Sequence, residues 1–184
     1  MNVVVKTINF VRSRVLNHRQ FKAFLEKISA EYVDVTDCCE VRWLCEGKML
    51  KRLYELRNEI ADFMQIKDKP LSELLDPKWI CVLAFLVDLT GYLNDLNLKL
   101  QKQGQLVTDL YSNLKVFQNK IRLREAQMLS SNSYHFTALS AYENIAYAQY
   151  PEELKLLSEQ LSNRFSDLKK HGRLVQFICY SNNK

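Results

Sequence analysis

The chain has 184 residues, a formal net charge of +5 and 47% apolar residues. That length and apolar content suit one folded domain with a real core, or part of a larger one, and exclude disorder as the default state. The five cysteines (Cys38, Cys39, Cys45, Cys81 and Cys179) have no regular spacing, which excludes a secreted disulfide framework and suits a reducing compartment.

The four glycines stand singly and there are only three prolines, so long helices are favoured over a strand-rich sandwich. Residues 3–16 read as a helix, or as a strand passing into one because the first residues are β-branched, with Val4, Ile8, Val11 and Val15 on one stripe. Lys6, Arg12 and Arg14 interrupt the apolar run there, so it is no signal peptide. Asn17 is expected to cap a second helix, with Gln20 in the capping-box position and Phe21, Phe24, Leu25 and Ile28 as the apolar face. Arg12, Arg14, Arg19 and Lys22 make this region basic. A solvated face explains such charge, and a phosphate-contacting face is the sharper alternative. Residues 32–41 alternate and are rich in β-branched residues, which predicts a short strand or extended segment, with a turn at Asp34 and Asp37 as the alternative.

Residues 44–64 predict one helix on the stripe Leu50, Leu53, Leu56, Ile60 and Phe63, leaving by a loop before Pro70. After a short turn at 71–75, Asp76 caps and Pro77 opens a central helix. Val82, Leu86, Leu89, Leu93, Leu96 and Leu100 step along it at heptad spacing, an expected interaction seam. The most apolar run, 79–89, contains Asp88 and is too short to span a bilayer, so no membrane role is expected. Gly104 marks a turn into an antiparallel helix over 106–129 with Leu106, Leu110, Leu114, Phe117 and Ile121 inward. Lys115, Lys120, Arg122 and Arg124 crowd its far end, where the helix dipole favours positive charge without a ligand. A shorter helix is predicted over 136–148 and a last one from Pro151 to Gly172, on Leu154, Leu157, Leu161, Phe165 and Leu168. Residues 174–180 are strand-like. A terminal strand needs a sheet to join, so the chain reads as a portion of a larger fold.

No constellation here could run a reaction. The three histidines lie at no metal-ligand spacing, Cys38-Cys39 with Cys45 lacks the zinc-site pattern, and there is no phosphate loop or nucleophile elbow. Asp88, embedded in an apolar run, most simply bonds to a neighbour. No catalytic residue, metal, cofactor or small-molecule substrate is expected. Arg42-Trp43 is the better candidate: a planar cation beside a large aromatic can grip a phosphate and stack on a base, although a core tryptophan explains the pair as well.

The residues 16–21 (LNHRQF), Glu40-Val41-Arg42-Trp43-Leu44, Asp76-Pro77-Lys78-Trp79 and 93–98 (LNDLNL) resemble the hAT-superfamily transposase-derived proteins of vertebrates. The similarity is to the transposase-like region of the zinc finger BED domain-containing and general transcription factor II-I repeat domain-containing proteins. It implies a mainly α fold: a helical bundle resembling the insertion domain of an RNase H-like transposase, with one or two short strands at most. Residues 1–40 would be a partial RNase H-like segment, 41–172 the helical insertion-type domain, and 173–184 a truncated strand-like tail. Arg42 and Trp43 would stand at the family's DNA-end motif, with Arg12, Arg14, Arg19 and Lys22 as further nucleic-acid contacts. The metal-binding aspartates of active relatives have no counterpart here, and Cys45 and Glu46 replace the usual serine and arginine. The resemblance therefore implies a catalytically inactive, domesticated fragment, nuclear or alternatively cytoplasmic. It would act in protein interaction with residual DNA binding, or as a helical scaffold that pairs with itself or a transposase-like partner.

Overall fold

A computed structural model describes residues 2–12, 15–28 and 42–166, with the side chains of residues 2, 12 and 42–46 left aside. Seven helices are described: α1 (Asn2–Arg12), α2 (Val15–Lys27), α3 (Arg42–Glu55), α4 (Arg57–Ile66), α5 (Pro77–Leu100), α6 (Val107–Leu129) and α7 (Tyr150–Arg164). Short 3-10 turns lie at Ser72–Leu75, Leu139–Ala141 and Tyr147–Gln149. The mainly helical expectation holds, and no strand occurs among the described residues. The strand expectations at 32–41 and 174–180, and the domain divisions at 40/41 and 172/173, fall outside the described residues. By its contacts the chain divides into two compact units, Met1–Gly91 and Tyr92–Lys184, with the boundary within α5.

In the first unit α1 packs on α2 and α3, and α4 packs on α2 and α3. Val4, Ile8 and Val11 from α1 are buried, as are Phe21 and Leu25 from α2. The stripe Leu50, Leu53, Leu56, Ile60 and Phe63 is buried throughout. Phe21 meets Phe63 edge to face at 5.0 Å, the geometry that ring quadrupoles favour. The edges of two predicted stripes differ: Val15 and Ile28, at the two ends of α2, are exposed.

Asn17 does not cap α2. It lies within the helix, is buried, and its Nδ2 donates to the Phe10 carbonyl at 3.0 Å. Phe10 is in the last turn of α1, where carbonyls lack a helical partner, so Asn17 closes the end of the preceding helix instead of opening its own. The predicted 44–64 helix is two helices meeting at Leu56 (φ −93°, ψ 19°). There Arg57 Nη1 donates to the Tyr54 carbonyl at 2.9 Å and its guanidinium lies over the Tyr54 ring at 4.7 Å.

The predicted start of α5 is correct: Asp76 Oδ1 accepts from Lys78 N–H at 3.0 Å, and the Asp76 carbonyl takes the first helical bond from Ile80. With 24 residues and a mean hydropathy of 1.4 in its richest window, α5 is long and apolar enough to cross a membrane by length and composition. The run 79–89 alone is too short for that; the whole helix is not. Cys81, Leu83, Ala84, Phe85 and Val87 are buried against the protein.

The second unit is built on α6 and α7. Leu114, Phe117, Ile121, Arg124 and Met128 face inward from α6, and Leu154, Ser158 and Leu161 from α7. Leu106 is exposed because it precedes the helix, where its backbone N–H donates to Asp109 Oδ2 at 3.1 Å. Gly104 stands at φ +76° in the turn, as glycine permits. The predicted helix over 136–148 is absent. Two 3-10 turns stand there, held by Ser133 Oγ to Tyr147 Oη at 3.1 Å and by Tyr92 Oη donating to the His135 carbonyl. These bonds fix extended backbone, as at Tyr142, that a continuous helix would not allow. Leu168 and Gly172, the expected end of the last helix, lie outside the described residues.

Candidate functional site

Two surfaces and one chemical question follow from the expected residues. The first surface is basic. Arg19 on α2 is exposed and Lys22 is half-buried. Arg14 and the side chains of Arg12, Arg42 and Trp43 lie outside the described residues, so their proximity to Arg19 is untested. The structure adds two cations that local sequence does not place here. Lys67 donates to Gln20 Oε1 of α2 and its ammonium lies 5.4 Å from the Phe63 ring; the Lys69 ammonium lies 4.6 Å from the Phe10 ring of α1. A tight helix end brings them across. Asp68 takes φ 54°, Lys69 N–H bonds the Met64 carbonyl, and Asp68 N–H bonds the Gln65 carbonyl. This is a Schellman turn with aspartate where glycine is usual. The one signal available in sequence was the pair of lysines flanking an aspartate before Pro70.

The second surface is the expected seam. Leu96 is buried, Leu86, Leu89, Leu93 and Leu100 are half-buried, and Val82 is exposed. The fully buried positions of the first half of α5 lie mainly beside the seam, at Cys81, Leu83, Ala84, Phe85 and Val87. The seam is therefore a largely half-covered apolar line on a long helix, with only Leu96 taken into the core.

Among the described residues no group of three or more His, Cys, Asp or Glu is placed to hold a metal. His135 Nδ1 is bonded to Gln127 Oε1 at 2.8 Å. Asp88 is half-buried and engaged with neighbours. Burial pushes the Cys81 thiol above its ordinary range, and the Asp76 carboxylate adds to that, so the sulfur is held in its unreactive protonated form.

Helices paired over apolar faces, with a basic surface on α2 and a half-covered apolar seam on α5, make the chain mainly helical. Residues 1–129 match the FAM200/GTF2IRD2 helical domain, and the chain belongs to that family. It is 38% identical over 172 residues to General transcription factor II-I repeat domain-containing protein 2 of Bos taurus. Against the protein of the same description from Mus musculus the identity is 36% over 172 residues. Each alignment covers 92% of this chain and 18% of the relative, so the chain spans less than a fifth of the length of these curated relatives. No solved structure matches it.

Proposed function

We propose that this chain is a non-enzymatic, domesticated helical domain, descended from a hAT-type transposase, that acts in the nucleus through protein interaction. The relatives support the setting, since their names place them with a general transcription factor. The observation that carries the interaction reading is the seam of α5: a regular apolar line from Val82 to Leu100 of which only Leu96 is buried. Half-covered leucines at heptad spacing are suited to a second helix, most simply that of another copy. Sedimentation velocity on the full chain tests this. A dimer that Leu93→Asp converts to monomer supports self-pairing through the seam. A monomer at high concentration removes self-pairing and leaves the seam to a different protein.

A second reading, residual DNA contact, is favoured by one observation. Lys67 reaches α2, which carries Arg19 and Lys22, and Lys69 lies over Phe10 of the adjoining α1, so the basic face is broader than the sequence alone indicates. Arg12, Arg14, Arg42 and Trp43 would extend it. Duplex binding that weakens steeply with salt, and in Trp43→Ala and Arg19→Gln, supports this reading. No binding at low salt ends it.

A further inference from the structure

The second unit contains a cleft of about 120 Å³ between the end of α5 and the middle of α6. Tyr92, Asp95, Leu96 and Lys99 line it from α5, and Asn113, Phe117, Lys120 and Arg124 are among its walls on α6. Three cations thus share one cleft with a single carboxylate. Lys99 and Lys120 are exposed and reach it from the rim. Arg124 is different: it is 9% exposed, and its Nε is buried with no hydrogen-bond partner. Its guanidinium carbon lies 3.5 Å from the centre of the Tyr92 ring. The ring contact meets the charge of the guanidinium but leaves the Nε–H without an acceptor, a donor that calls for an oxygen.

An arginine this deeply buried is expected to have an anionic partner, because a desolvated cation with an idle donor is unfavourable. None of the three cations makes an ion pair among the described residues. Lys99, in the last turn of α5, also answers the helix dipole. Lys120 and Arg124 lie four residues apart in the body of α6, where like charges repel, and Asp95 alone offsets them. From the buried donor, the excess of positive charge and the small volume, we propose that this cleft is a binding site for a phosphate group. Arg124 grips the oxyanion through its in-plane donors, and Lys120 and Lys99 close over it as point charges. Asn113 supplies an amide donor, and Asp95 limits the affinity. Tyr92 fixes the guanidinium, its own hydroxyl being tied to the His135 carbonyl. All of these residues belong to the second unit, whereas α1 and α2 belong to the first.

Titration calorimetry of the full chain with inorganic phosphate, at ionic strength matched with chloride, tests the assignment. Saturable binding is expected, weakened at least about fivefold by Lys120→Gln and tightened by Asp95→Asn. Because both residues are exposed, neither change is expected to disturb folding, which thermal melts verify. Arg124→Lys keeps the charge but loses the planar fork and is expected to weaken binding as well. A second arm adds a short DNA duplex. Duplex displaced by phosphate, and lost in Lys120→Gln, identifies a nucleic-acid backbone as the source of the group; phosphate binding without duplex binding identifies a small phosphate. The assignment is overturned by absence of saturable phosphate binding up to about 10 mM. It is equally overturned by affinity unchanged in both Lys120→Gln and Asp95→Asn.

Discussion

Asn17 shows how one buried polar side chain decides a local structure. A carboxamide at a predicted helix start has two uses: accepting from its own helix, or donating to another. Here the second prevails, because the Phe10 carbonyl at the end of α1 lies 3.0 Å from Nδ2. Asn17→Ala removes the donor and is expected to cost about 1–2 kcal/mol in urea unfolding. Asn17→Asp keeps the shape but offers only acceptors at neutral pH, so it should be at least as destabilising. If Asn17→Asp were neutral, the bond would carry no weight. Cys81 makes a comparable point about charge. Its folded thiol is less acidic than an exposed one, first through burial and then through Asp76. The sign follows: the protonated form is favoured by folding, so this contribution is complete below the ordinary thiol pKa of about 8.5 and lost as pH rises above it. Alkylation followed by mass spectrometry of the peptide carrying Cys81 should be slow at pH 8. Asp76→Asn should speed it, because asparagine retains the cap and removes only the charge.

At the scale of elements, what sequence makes legible is the interior of each helix. The stripe from Leu50 to Phe63, the Asp76-Pro77 start and the turn at Gly104 all follow from spacing and capping within a few residues. Features fixed by distant partners do not follow. The loss of helix after Phe136 goes with the bond that His135 accepts from Tyr92, 43 residues away. The candidate site divides in the same way. The seam is visible in spacing, whereas Lys67 reaching Gln20, 47 residues away, and Arg124 being buried are facts of packing. That packing gives the irregular segment after α6 its importance. Phe136 is fully buried and meets the Tyr92 ring edge to face at 5.8 Å. Phe136→Ala should cost about 3–5 kcal/mol by chemical unfolding, as for a core aromatic; a loss below about 1 kcal/mol would show the loop to be merely draped on the helices. The end of α6 offers the opposite test. Ser131 takes φ 54°, Asn132 N–H bonds the Gln127 carbonyl and Ser131 N–H bonds the Met128 carbonyl, a second Schellman turn without glycine. Ser131→Gly should raise stability by about 0.5–1 kcal/mol by relieving the left-handed residue.

For the whole molecule, the notable fact is that the division between the two compact units falls at Gly91 and Tyr92, inside an unbroken helix. A helix propagates cooperatively, one hydrogen bond for each residue fixed, so α5 is a physical reason for the units to melt together even though each has its own core. Both tryptophans, Trp43 and Trp79, belong to the first unit, while helix is present in both. Tryptophan fluorescence therefore reports on one unit and far-ultraviolet circular dichroism on the two together. In the natural chain the two unfolding curves should superimpose. Gly91 is exposed, and a Cβ built there meets nothing within 4 Å, so the position can be changed without a clash in the core. Gly91→Ala should strengthen the link and raise stability by about 0.5–1 kcal/mol. Gly91→Pro removes a rung and clashes with the preceding turn. It should separate the probes, making the dichroism curve biphasic while fluorescence keeps a single transition. Should the natural chain already give two separate transitions, α5 connects the units without coupling them.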